Sequence, residues 1–483
     1  MQSRNFARER KAHTMTFATF ATTFAVALLG LQFGSTTPPT IDSHAIPRRV
    51  ALQLGAASAI GTSSASAAEA PSVNSDRRYG AVLAGPFEFG FPLRAPERAT
   101  VRRELVPGRI WSFEQVQGVI YVQVPVRMTV VRLDSGGLFV YAPIAPTREC
   151  LRLLAEVEAE AGPVRHILLP TPAIEHKSFA GAFADSRPAA QLWLAPFQYT
   201  FPIDLPISMQ GFPRSTRVLP DSDEAEPEWA AQLPYRTLGP LKAQVGGFQE
   251  VVVFDTATST LLVTDLVTSI PSEPPAISRV DDRALRFHSR DEAADEAGST
   301  ETALTTGWRK ICLFALYFQS SPLAVVSPPD GTLAGAARFF RAAFPAEVPD
   351  GARALGWNGF LAWRWPSRQA FDAAFEALRG NGSPLVPPII QVAILNREPA
   401  RTLDFVQSVG SDFAFTRIVP AHFDAPVAAG PKEWSEAFNF LRATPIGGPG
   451  ARNELPADDL AFLRQFEAGL VKGGVIEPEA PKV

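Results

Sequence analysis

The sequence predicts an α/β protein that contains at least one set of parallel strands. Hydrophobic residues make up 46% of the 483 residues and charged residues 19%, which is enough apolar material for a large core. The 44 prolines indicate many loops and strand ends rather than long helices. Beyond Ile110, short β-rich runs alternate with helical patterns in a strand–helix–strand order, which implies parallel pairing with a right-handed crossover.

The composition excludes several classes of protein and site. The net charge of −4 and the lack of a basic stripe with interleaved aromatic residues give no reason to expect a nucleic-acid partner. Two cysteines, Cys150 and Cys312, rule out a disulfide framework and a cysteine-rich zinc site, and their apolar surroundings favour buried free thiols. Of the six histidines, His13 and His44 lie near the N-terminus, so a site built on many imidazoles is excluded.

Residues 1–75 are predicted to be a disordered targeting presequence. A basic start is followed by the apolar run TFATFATTFAVALLGLQF, which is typical of a signal sequence. The pair Arg48 and Arg49 then precedes a weakly apolar stretch with a small-residue end at 65–67, in outline a twin-arginine signal. Two signals in tandem resemble a chloroplast presequence leading to the thylakoid lumen. The alternative is one alanine-rich transit peptide that ends in the stroma, and in either case cleavage would leave no transmembrane segment.

The first half of the remaining chain is predicted to alternate strands and helices. RMTVVRL and LFVYAP flank DSGG, a hairpin turn signal. Thr147 is a helix N-cap before RECLRLLAEVEAEA, and Gly162 ends that helix. VRHILLP is a buried strand, PTPAIEHK a loop from Pro170 to Lys177, SFAGAFADSRP a short helix and AQLWLAP another strand. This loop therefore lies at the carboxyl end of a parallel strand, where α/β folds place their sites.

The second half begins with another hairpin and continues mainly as helices. GGFQEVVVFD and TLLVTDLV form the hairpin, which ends at Asp265, and residues 271–305 are acidic and loop-like. WRKICLFALYF is predicted to be a buried helix, whereas AGAARFFRAAF and RQAFDAAFEALRG have amphipathic patterns. FTRIVPAHF is a strand that ends at His422, and PKEWSEAFNFLRA and ADDLAFLRQFEAGLV are closing helices.

Metal-capable side chains follow three of these predicted strands. Glu175 and His176 follow the first, Asp265 follows the second and His422 ends the third. A metal site requires deprotonated carboxylates and neutral imidazoles that converge from rigid elements, and strand ends supply that rigidity. These residues are therefore candidate ligands.

Five segments also resemble, in order, a known family. RMTVVRLDSGGLFVYAPIAPT, GPVRHILLPTPAIEHKSFAGAFA, LLVTDLV, GWRKICLFALYF and RIVPAHFDAPVAAGP are similar to the plant, algal and cyanobacterial domain-of-unknown-function 4336 family. That family is a branch of the metallo-β-lactamase-like superfamily, and the resemblance covers roughly residues 105–445. It implies a four-layer αββα sandwich over 76–445, with a helical insertion at 271–400 before the last core strand, and a C-terminal helix and tail at 446–483.

The resemblance also implies that half of the superfamily's two-metal site is lost. The leading motif His-x-His-x-Asp-His falls on TPAIEH, so that Thr171 and Ala173 stand where the first two histidines are expected. Gln249 or Glu250 stands near the place of the lone intermediate histidine. These replacements dismantle the first metal position.

The second metal position keeps a competent ligand at every place. The resemblance assigns it to Glu175, His176, Asp265 and His422, which suit one divalent metal, zinc in the first instance and iron or manganese otherwise. A metal there would activate water for hydrolysis of an ester, thioester or phosphodiester in an unknown small-molecule substrate. Catalytic roles are predicted for Glu250, as a proton acceptor, and for His288, as a substrate contact.

An ordinary structural role is open for each of these residues, and so is a function without catalysis. The structural roles are a core hydrogen bond for His176 and His422, a hairpin brace for Asp265, a helix N-terminal carboxylate for Glu175, an exposed strand position for Glu250 and a loop position for His288. The alternative function is a pseudoenzyme that binds a small ligand or a protein partner in the thylakoid.

Overall fold

The computed structural model describes the chain from Ser75 onward, with gaps. The described residues are 75–79, 97–119, 122–200, 204–220, 226–242, 247–292, 294–318, 320–325, 349–355, 363–365, 367–448, 451–452 and 454–483. Except for Ser75, the predicted presequence lies outside the described residues, as does the predicted helix AGAARFFRAAF. The predicted domain boundaries stay predictions.

The described residues form fourteen strands and eleven α-helices. The strands are β1 (Val101–Val106), β2 (Ile110–Val119), β3 (Val122–Arg132), β4 (Leu138–Tyr141), β5 (Val164–Leu169), β6 (Gln191–Leu194), β7 (Arg217–Val218), β8 (Tyr235–Lys242), β9 (Gly247–Asp255), β10 (Thr260–Val263), β11 (Ala324–Val325), β12 (Trp363–Arg364), β13 (Arg417–Pro420) and β14 (Val427–Ala428). The helices are α1 (Arg148–Ala161), α2 (Ile174–Asp185), α3 (Ala276–Val280), α4 (Arg283–His288), α5 (Glu301–Tyr317), α6 (Asp350–Arg353), α7 (Arg368–Arg379), α8 (Pro388–Ala393), α9 (Pro399–Asp412), α10 (Pro431–Glu436) and α11 (Ala457–Lys472).

The first sheet contains β1 to β7 in chain order. Strands β1 to β4 pair antiparallel, and the predicted DSGG hairpin joins β3 to β4. Strands β4, β5 and β6 then pair parallel, with α1 and α2 as the crossovers. The predicted strand–helix–strand arrangement is therefore confirmed, and β5 ends at the same edge of the sheet as its parallel neighbours.

The second sheet has the order β14-β13-β10-β9-β8. The predicted second hairpin is confirmed as the antiparallel pair β9 and β10, and β10 pairs parallel with β13. Helices α3 to α9 lie in the chain between β10 and β13. Because β10 and β13 are parallel, both of their carboxyl ends lie at one edge of this sheet, although 154 residues separate some groups that meet there.

Three hydrophobic interfaces divide the molecule into four layers. Along β3, Val130 packs against Leu154 of α1, whereas Val131 packs against Val253 of the second sheet. The alternation follows from the two-residue side-chain period of a strand. On the far side, Val252 belongs to a third cluster with the helices that follow β10. Helix, sheet, sheet and helix layers result, which confirms the predicted αββα sandwich.

The boundaries of α1 are as predicted, whereas two other predictions were wrong: α2 begins earlier than predicted, and residues 271–305, predicted to be loop-like, contain α3, α4 and the start of α5. The Thr147 hydroxyl accepts from the Cys150 amide at the start of α1, and Gly162 ends the helix at φ 92°. Helix α2, however, begins at Ile174, so Glu175 and His176 lie in its first turn. The prediction that all of PTPAIEHK is a loop was wrong there, because a carboxylate in the first turn complements the helix dipole.

Two further expectations, on the cysteines and on WRKICLFALYF, are tested by burial. Cys150 and Cys312 are both buried free thiols, as predicted. In the part of the chain that the structure describes, no helix combines the length and the apolar character that crossing a membrane requires. The buried character predicted for WRKICLFALYF is confirmed by α5, whose inward residues include Trp308 and Leu313.

Gly307 allows α4 and α5 to approach closely, and replacing it tests this packing. A Cβ at position 307 would lie 2.0 Å from the Leu285 carbonyl oxygen, which is backbone and must shift. We expect Gly307→Ala to lower the free energy of unfolding by about 2 kcal/mol, in the range of overpacked cores. Chemical denaturation of the full chain measures this change.

Gly469 in α11 is the matched control. An alanine Cβ there meets no atom within 4 Å. Because alanine is the better helix former, Gly469→Ala should stabilise the chain by up to about 1 kcal/mol. Equal effects of the two substitutions would contradict the close helix contact at Gly307.

Candidate metal site

The carboxyl ends of three strands meet where the two sheets face each other. Asp265 lies two residues after β10 and His422 two residues after β13, on the same edge of the second sheet. Glu175 comes from the start of α2, just after β5 of the first sheet. The Val251 amide donates to the Pro170 carbonyl at 2.8 Å, which ties the end of β5 to the facing sheet. The topology thus brings together side chains that are far apart in sequence.

Three of the four predicted ligands form one compact group. One ligand atom each of Glu175, Asp265 and His422 lies within 4.8 Å of the others. His422 Nε2 is 3.1 Å from Asp265 Oδ1 and 4.0 Å from Glu175 Oε1. Metal–ligand bonds of about 2.1 Å give tetrahedral ligand atoms a spacing of about 3.4 Å, so this group has nearly the dimensions of a site. The side chains of Asp265 and His422 are each 14% exposed, so both are largely buried but retain some contact with solvent.

The other ring nitrogen of His422 orients the imidazole. His422 Nδ1 lies 2.9 Å from the carbonyl oxygen of Pro125 on β3, where it serves as donor. Because Nδ1 carries this proton, the lone pair of the neutral ring is on Nε2, which faces the two carboxylates. A histidine whose second nitrogen donates to a backbone carbonyl is the usual arrangement of a metal ligand.

The carboxylates and the imidazole also shift each other's protonation. Burial lowers the pKa of His422, but the carboxylates of Asp265 and Glu175 outweigh it and raise the pKa above its ordinary value. Burial raises the pKa of Asp265, and the His422 ring outweighs that effect and lowers it. Both shifts favour the ionised Asp265 carboxylate beside a protonated His422 ring. A cation at Nε2 would have to replace that proton.

His176 is outside this group and deeper in the protein. Its side chain is fully buried, and its ring centroid lies 5.7 Å from that of His422 with the planes tilted by 56°. Burial and the neighbouring His422 lower the pKa of His176 to about 4, despite the opposing effect of the backbone carbonyls of Pro143 and Ala142. The ring is thus neutral at physiological pH, and its role as a fourth ligand stays a prediction.

Two non-glycine residues adopt left-handed backbone conformations close to these histidines. Ala142, whose carbonyl faces His176, has φ 55°, and Phe423, which follows His422, has φ 57°. Such conformations are rare for residues with a Cβ and concentrate at functional sites. The backbone is therefore strained at both histidines.

Glu250 is buried, so the expectation of an exposed strand position was wrong. Its Oε1 accepts from the Thr264 amide at 2.7 Å, and its Oε2 accepts from the amides of Asp265 and Leu266 at 2.9 Å each. Burial and the nearby Asp265 carboxylate raise the pKa of Glu250 to about 7, against the effect of these amides. The side chain holds the loop that carries Asp265. Its predicted role as a catalytic proton acceptor stays a prediction.

The residues at the positions predicted to have lost the first metal have local structural roles. Thr171 Oγ1 accepts from the Ala173 amide at 3.2 Å, and Ala173 is the N-cap of α2. Gln249 Oε1 accepts from the Phe197 amide at 2.6 Å. These side chains are engaged with backbone groups, which fits the predicted loss of that position.

His288 is buried at the end of α4 rather than in a loop, so that expectation was wrong. Its ring packs edge-on against Phe287 at 5.0 Å. Its predicted contact with a substrate stays a prediction.

Sequence reasoning missed two charged residues, Arg127 of β3 and Glu114 of β2. Both are 1% exposed, and they form an ion pair of 2.9 Å beside the His422 loop. The available signal was a pair of charged residues within otherwise apolar strand patterns.

Comparisons with known proteins give a family match and matches in fold. The profile of the family described as Domain of unknown function (DUF4336) matches residues 107–440. No curated protein matches the chain significantly.

The solved structures that match include three metallo-β-lactamases. The enzyme from Pontibacter korlensis is 12% identical, with a TM-score of 0.27 over 36% of this chain and 76% of that chain. FIM-1 from Pseudomonas aeruginosa in the mono-zinc form is 11% identical, with a TM-score of 0.26 over 46% and 83%. The protein from Hirschia baltica is 11% identical, with a TM-score of 0.26 over 37% and 77%.

Glu250→Gln tests the role of Glu250 as a backbone clamp. Glutamine keeps one acceptor oxygen but turns an NH₂ donor toward backbone amides that are also donors. We expect the free energy of unfolding to fall by about 2 kcal/mol, the cost of leaving buried donors unsatisfied. Exposed Glu104, which accepts from the Gly108 amide, is the control, and Glu104→Gln should change stability by less than about 0.5 kcal/mol. A Glu250→Gln chain as stable as wild type would contradict the clamp.

The lowered pKa of His176 predicts a specific acid sensitivity. Between about pH 6.5 and pH 4 the unfolded chain binds a proton at this residue that the folded chain does not, so stability falls as the pH is lowered through this range. At about 1.4 kcal/mol per pH unit, the residue should account for about 3 kcal/mol. We expect His176→Gln to remove this share of the pH dependence, measured by denaturation at pH 7 and pH 4.

His166→Gln is the comparison for this experiment. Burial also lowers the pKa of His166, but its Nε2 lies 3.2 Å from the Glu228 carboxylate, which opposes the effect. Its share of the pH dependence should therefore be smaller. Identical pH profiles for wild type and His176→Gln would show that the buried ring is not held neutral.

Proposed function

Because the chain belongs to the DUF4336 family, we propose that it is a metal-dependent hydrolase-like protein with one divalent metal at Glu175, Asp265 and His422. The match covers most of the chain and agrees with the resemblance predicted from its segments. The proposed substrates are esters, thioesters or phosphodiesters, and zinc is the proposed metal, with iron or manganese as alternatives.

The observation that carries the proposal is the convergence of three ligand atoms from three separate strand ends. Glu175 lies in the first turn of α2, whereas Asp265 and His422 lie in the loops after β10 and β13, and the three meet within 4.8 Å. The donors are two carboxylate oxygens and one imidazole nitrogen, a set that suits zinc and also the harder ions manganese and iron. Three protein ligands leave a coordination position open, as catalytic sites require.

The charges and orientations of the residues fit a cation. Asp265 and Glu175 supply two negative charges, and His422 presents Nε2 to both because Nδ1 donates to the Pro125 carbonyl. Glu250 accepts hydrogen bonds from three backbone amides of the loop that carries Asp265. These bonds fix Asp265 through its backbone. The site is thus built before an ion arrives.

A divalent ion held by Glu175, Asp265 and His422 would supply Lewis acidity toward an ester or phosphoryl oxygen and toward water. The protein's own contribution is orientation and charge. His422 Nε2 can bind a cation only through its lone pair, so any proton that it shares with Asp265 Oδ1 at 3.1 Å must leave first. Fully buried His176 lies beside His422 as a neutral ring and adds no opposing charge.

The second candidate is a non-catalytic binding module. It is favoured by the residues at the predicted first metal position, because the side chains of Thr171 and Gln249 accept hydrogen bonds from backbone amides. The two candidates differ in whether metal binds at all, so a direct measurement of metal separates them.

Metal loading of the purified full chain tests the proposal. After removal of metals and reloading with zinc, manganese or iron(II), we expect about one ion per chain by mass spectrometry. At 100 times the dissociation constant, binding should stabilise the fold by about 2.7 kcal/mol, visible as a rise in melting temperature. Asp265→Asn and His422→Gln should each weaken binding at least tenfold, because each removes one ligand.

Asp255→Asn is the matched control for these variants. Asp255 is a buried carboxylate at the turn end of β9 that bonds to Gln232 and Thr258, away from the group of three ligands. Asp255→Asn should lower the free energy of unfolding and leave metal binding unchanged. A wild-type chain that takes up no metal and does not respond to a chelator would overturn the proposal in favour of the binding module.

A further inference from the structure

Three consecutive residues of β3 surround the loop that carries His422. The Pro125 carbonyl accepts from His422 Nδ1 at 2.9 Å, and Val126 forms an isolated antiparallel bridge with His422. The Arg127 amide donates to the Ala421 carbonyl at 2.7 Å. The strand therefore contacts both the backbone and the ring of His422.

The Arg127 guanidinium donates hydrogen bonds to the same loop on both sides of His422. Its Nη1 donates to the Pro420 carbonyl, and its Nη2 donates to the Phe423 carbonyl at 2.6 Å. Its Nε donates to Glu114 Oε1 at 2.9 Å. The planar fork of arginine thus spans the two peptide groups that flank His422, a geometry that the single ammonium of lysine cannot reproduce.

Glu114 holds the guanidinium in place. Glu114 and Arg127 are directly opposite each other in the register of β2 and β3, and Arg103 Nη2 donates to the same carboxylate oxygen at 2.6 Å. Burial raises the pKa of Glu114, but the two guanidinium groups outweigh it and hold the pKa below its usual range. Arg103 also reaches the Ala425 carbonyl at 3.0 Å, so the network extends along the same loop.

We propose that Arg127 is a positioning residue for His422. By fixing the carbonyls of Pro420 and Phe423, it stabilises the strained turn at Phe423 and aims Nε2 at Asp265. The value of this role for metal binding rests on the proposed function. The geometry itself can be measured on the metal-free chain.

Histidine-selective ¹⁵N labelling of the full chain gives the first readout. The sequence has only six histidines, and the His422 signal is assigned from its loss in His422→Gln. In the wild type, the Nδ1 proton should exchange slowly with solvent because it is bonded to Pro125. Arg127→Met should speed this exchange at least tenfold, and Arg127→Lys should restore part of the protection.

Arg187→Met is the matched control. Arg187 forms a forked pair with Glu158 that is partly buried, with side chains 19% and 17% exposed, and it contacts none of the three proposed ligands in the described part of the chain. It should lower the melting temperature and leave the His422 proton protected. If Arg127→Met does not fold, Glu114→Gln takes its place under the same criterion, because it removes the anchor and keeps the arginine.

Metal affinity gives the second readout. If the wild type binds zinc, Arg127→Met should bind it about 10- to 100-fold more weakly, as for other partners that orient ligands. Unchanged exchange of the Nδ1 proton in the variant overturns the positioning role, as does unchanged zinc affinity. If the wild type takes up no metal, the proposed function fails, and the exchange measurement alone decides the role of Arg127.

Discussion

The buried ion pair between Arg127 and Glu114 is the interaction on which the meeting of the two sheets at the site depends. Glu114 and Arg127 lie on neighbouring strands of the first sheet, whereas the carbonyls bound by Arg127 belong to the loop after β13 of the second. Burying two charges costs several kcal/mol per ion, and their mutual attraction offsets this cost only when other hydrogen bonds are made. Arg127 makes such hydrogen bonds to the carbonyls of Pro420 and Phe423. Removing one partner of the ion pair would leave an uncompensated buried charge, at a cost of about 3–5 kcal/mol.

The backbone groups of the loop after β10 also need buried hydrogen-bond partners, and there an acidic side chain supplies them instead of a basic one. A chain that leaves a strand must still satisfy its backbone amides and carbonyls. After β10 it is the amides of residues 264–266 that need acceptors, and the buried Glu250 carboxylate supplies them. After β13 it is carbonyls that need donors, and Arg127 supplies those. Asp265 and His422 each stand in a segment fixed by a buried charge from a neighbouring strand.

The sequence predicted what depends on local pattern and missed what depends on register. Periodicity and caps predicted the β4–α1–β5 unit and both hairpins, and the resemblance singled out Glu175, Asp265 and His422. The start of α2 was placed too late because the loop signals of PTP extend close to Glu175. Glu250 lies in an apolar run whose side chains alternate between the facing sheet and the outer helix layer, so its burial follows only from the complete sandwich. Arg127 pairs with Glu114 thirteen residues away, and that register is not readable from local pattern.

The protonation of His422 explains how two carboxylates can stand together before a metal arrives. Asp265 and Glu175 both face Nε2, and their charges raise the pKa of His422 despite its burial. A proton between Nε2 and Asp265 Oδ1, which lie 3.1 Å apart, would take the place and part of the charge of the proposed divalent cation. The Pro125 carbonyl is bonded to Nδ1 in either state, so the ring need not turn when a metal replaces the proton. Because Arg127 fixes the loop carbonyls and Glu250 fixes the facing amides, the exchange requires little movement of the backbone. On the proposed function, this one position would hold either a proton or a metal ion.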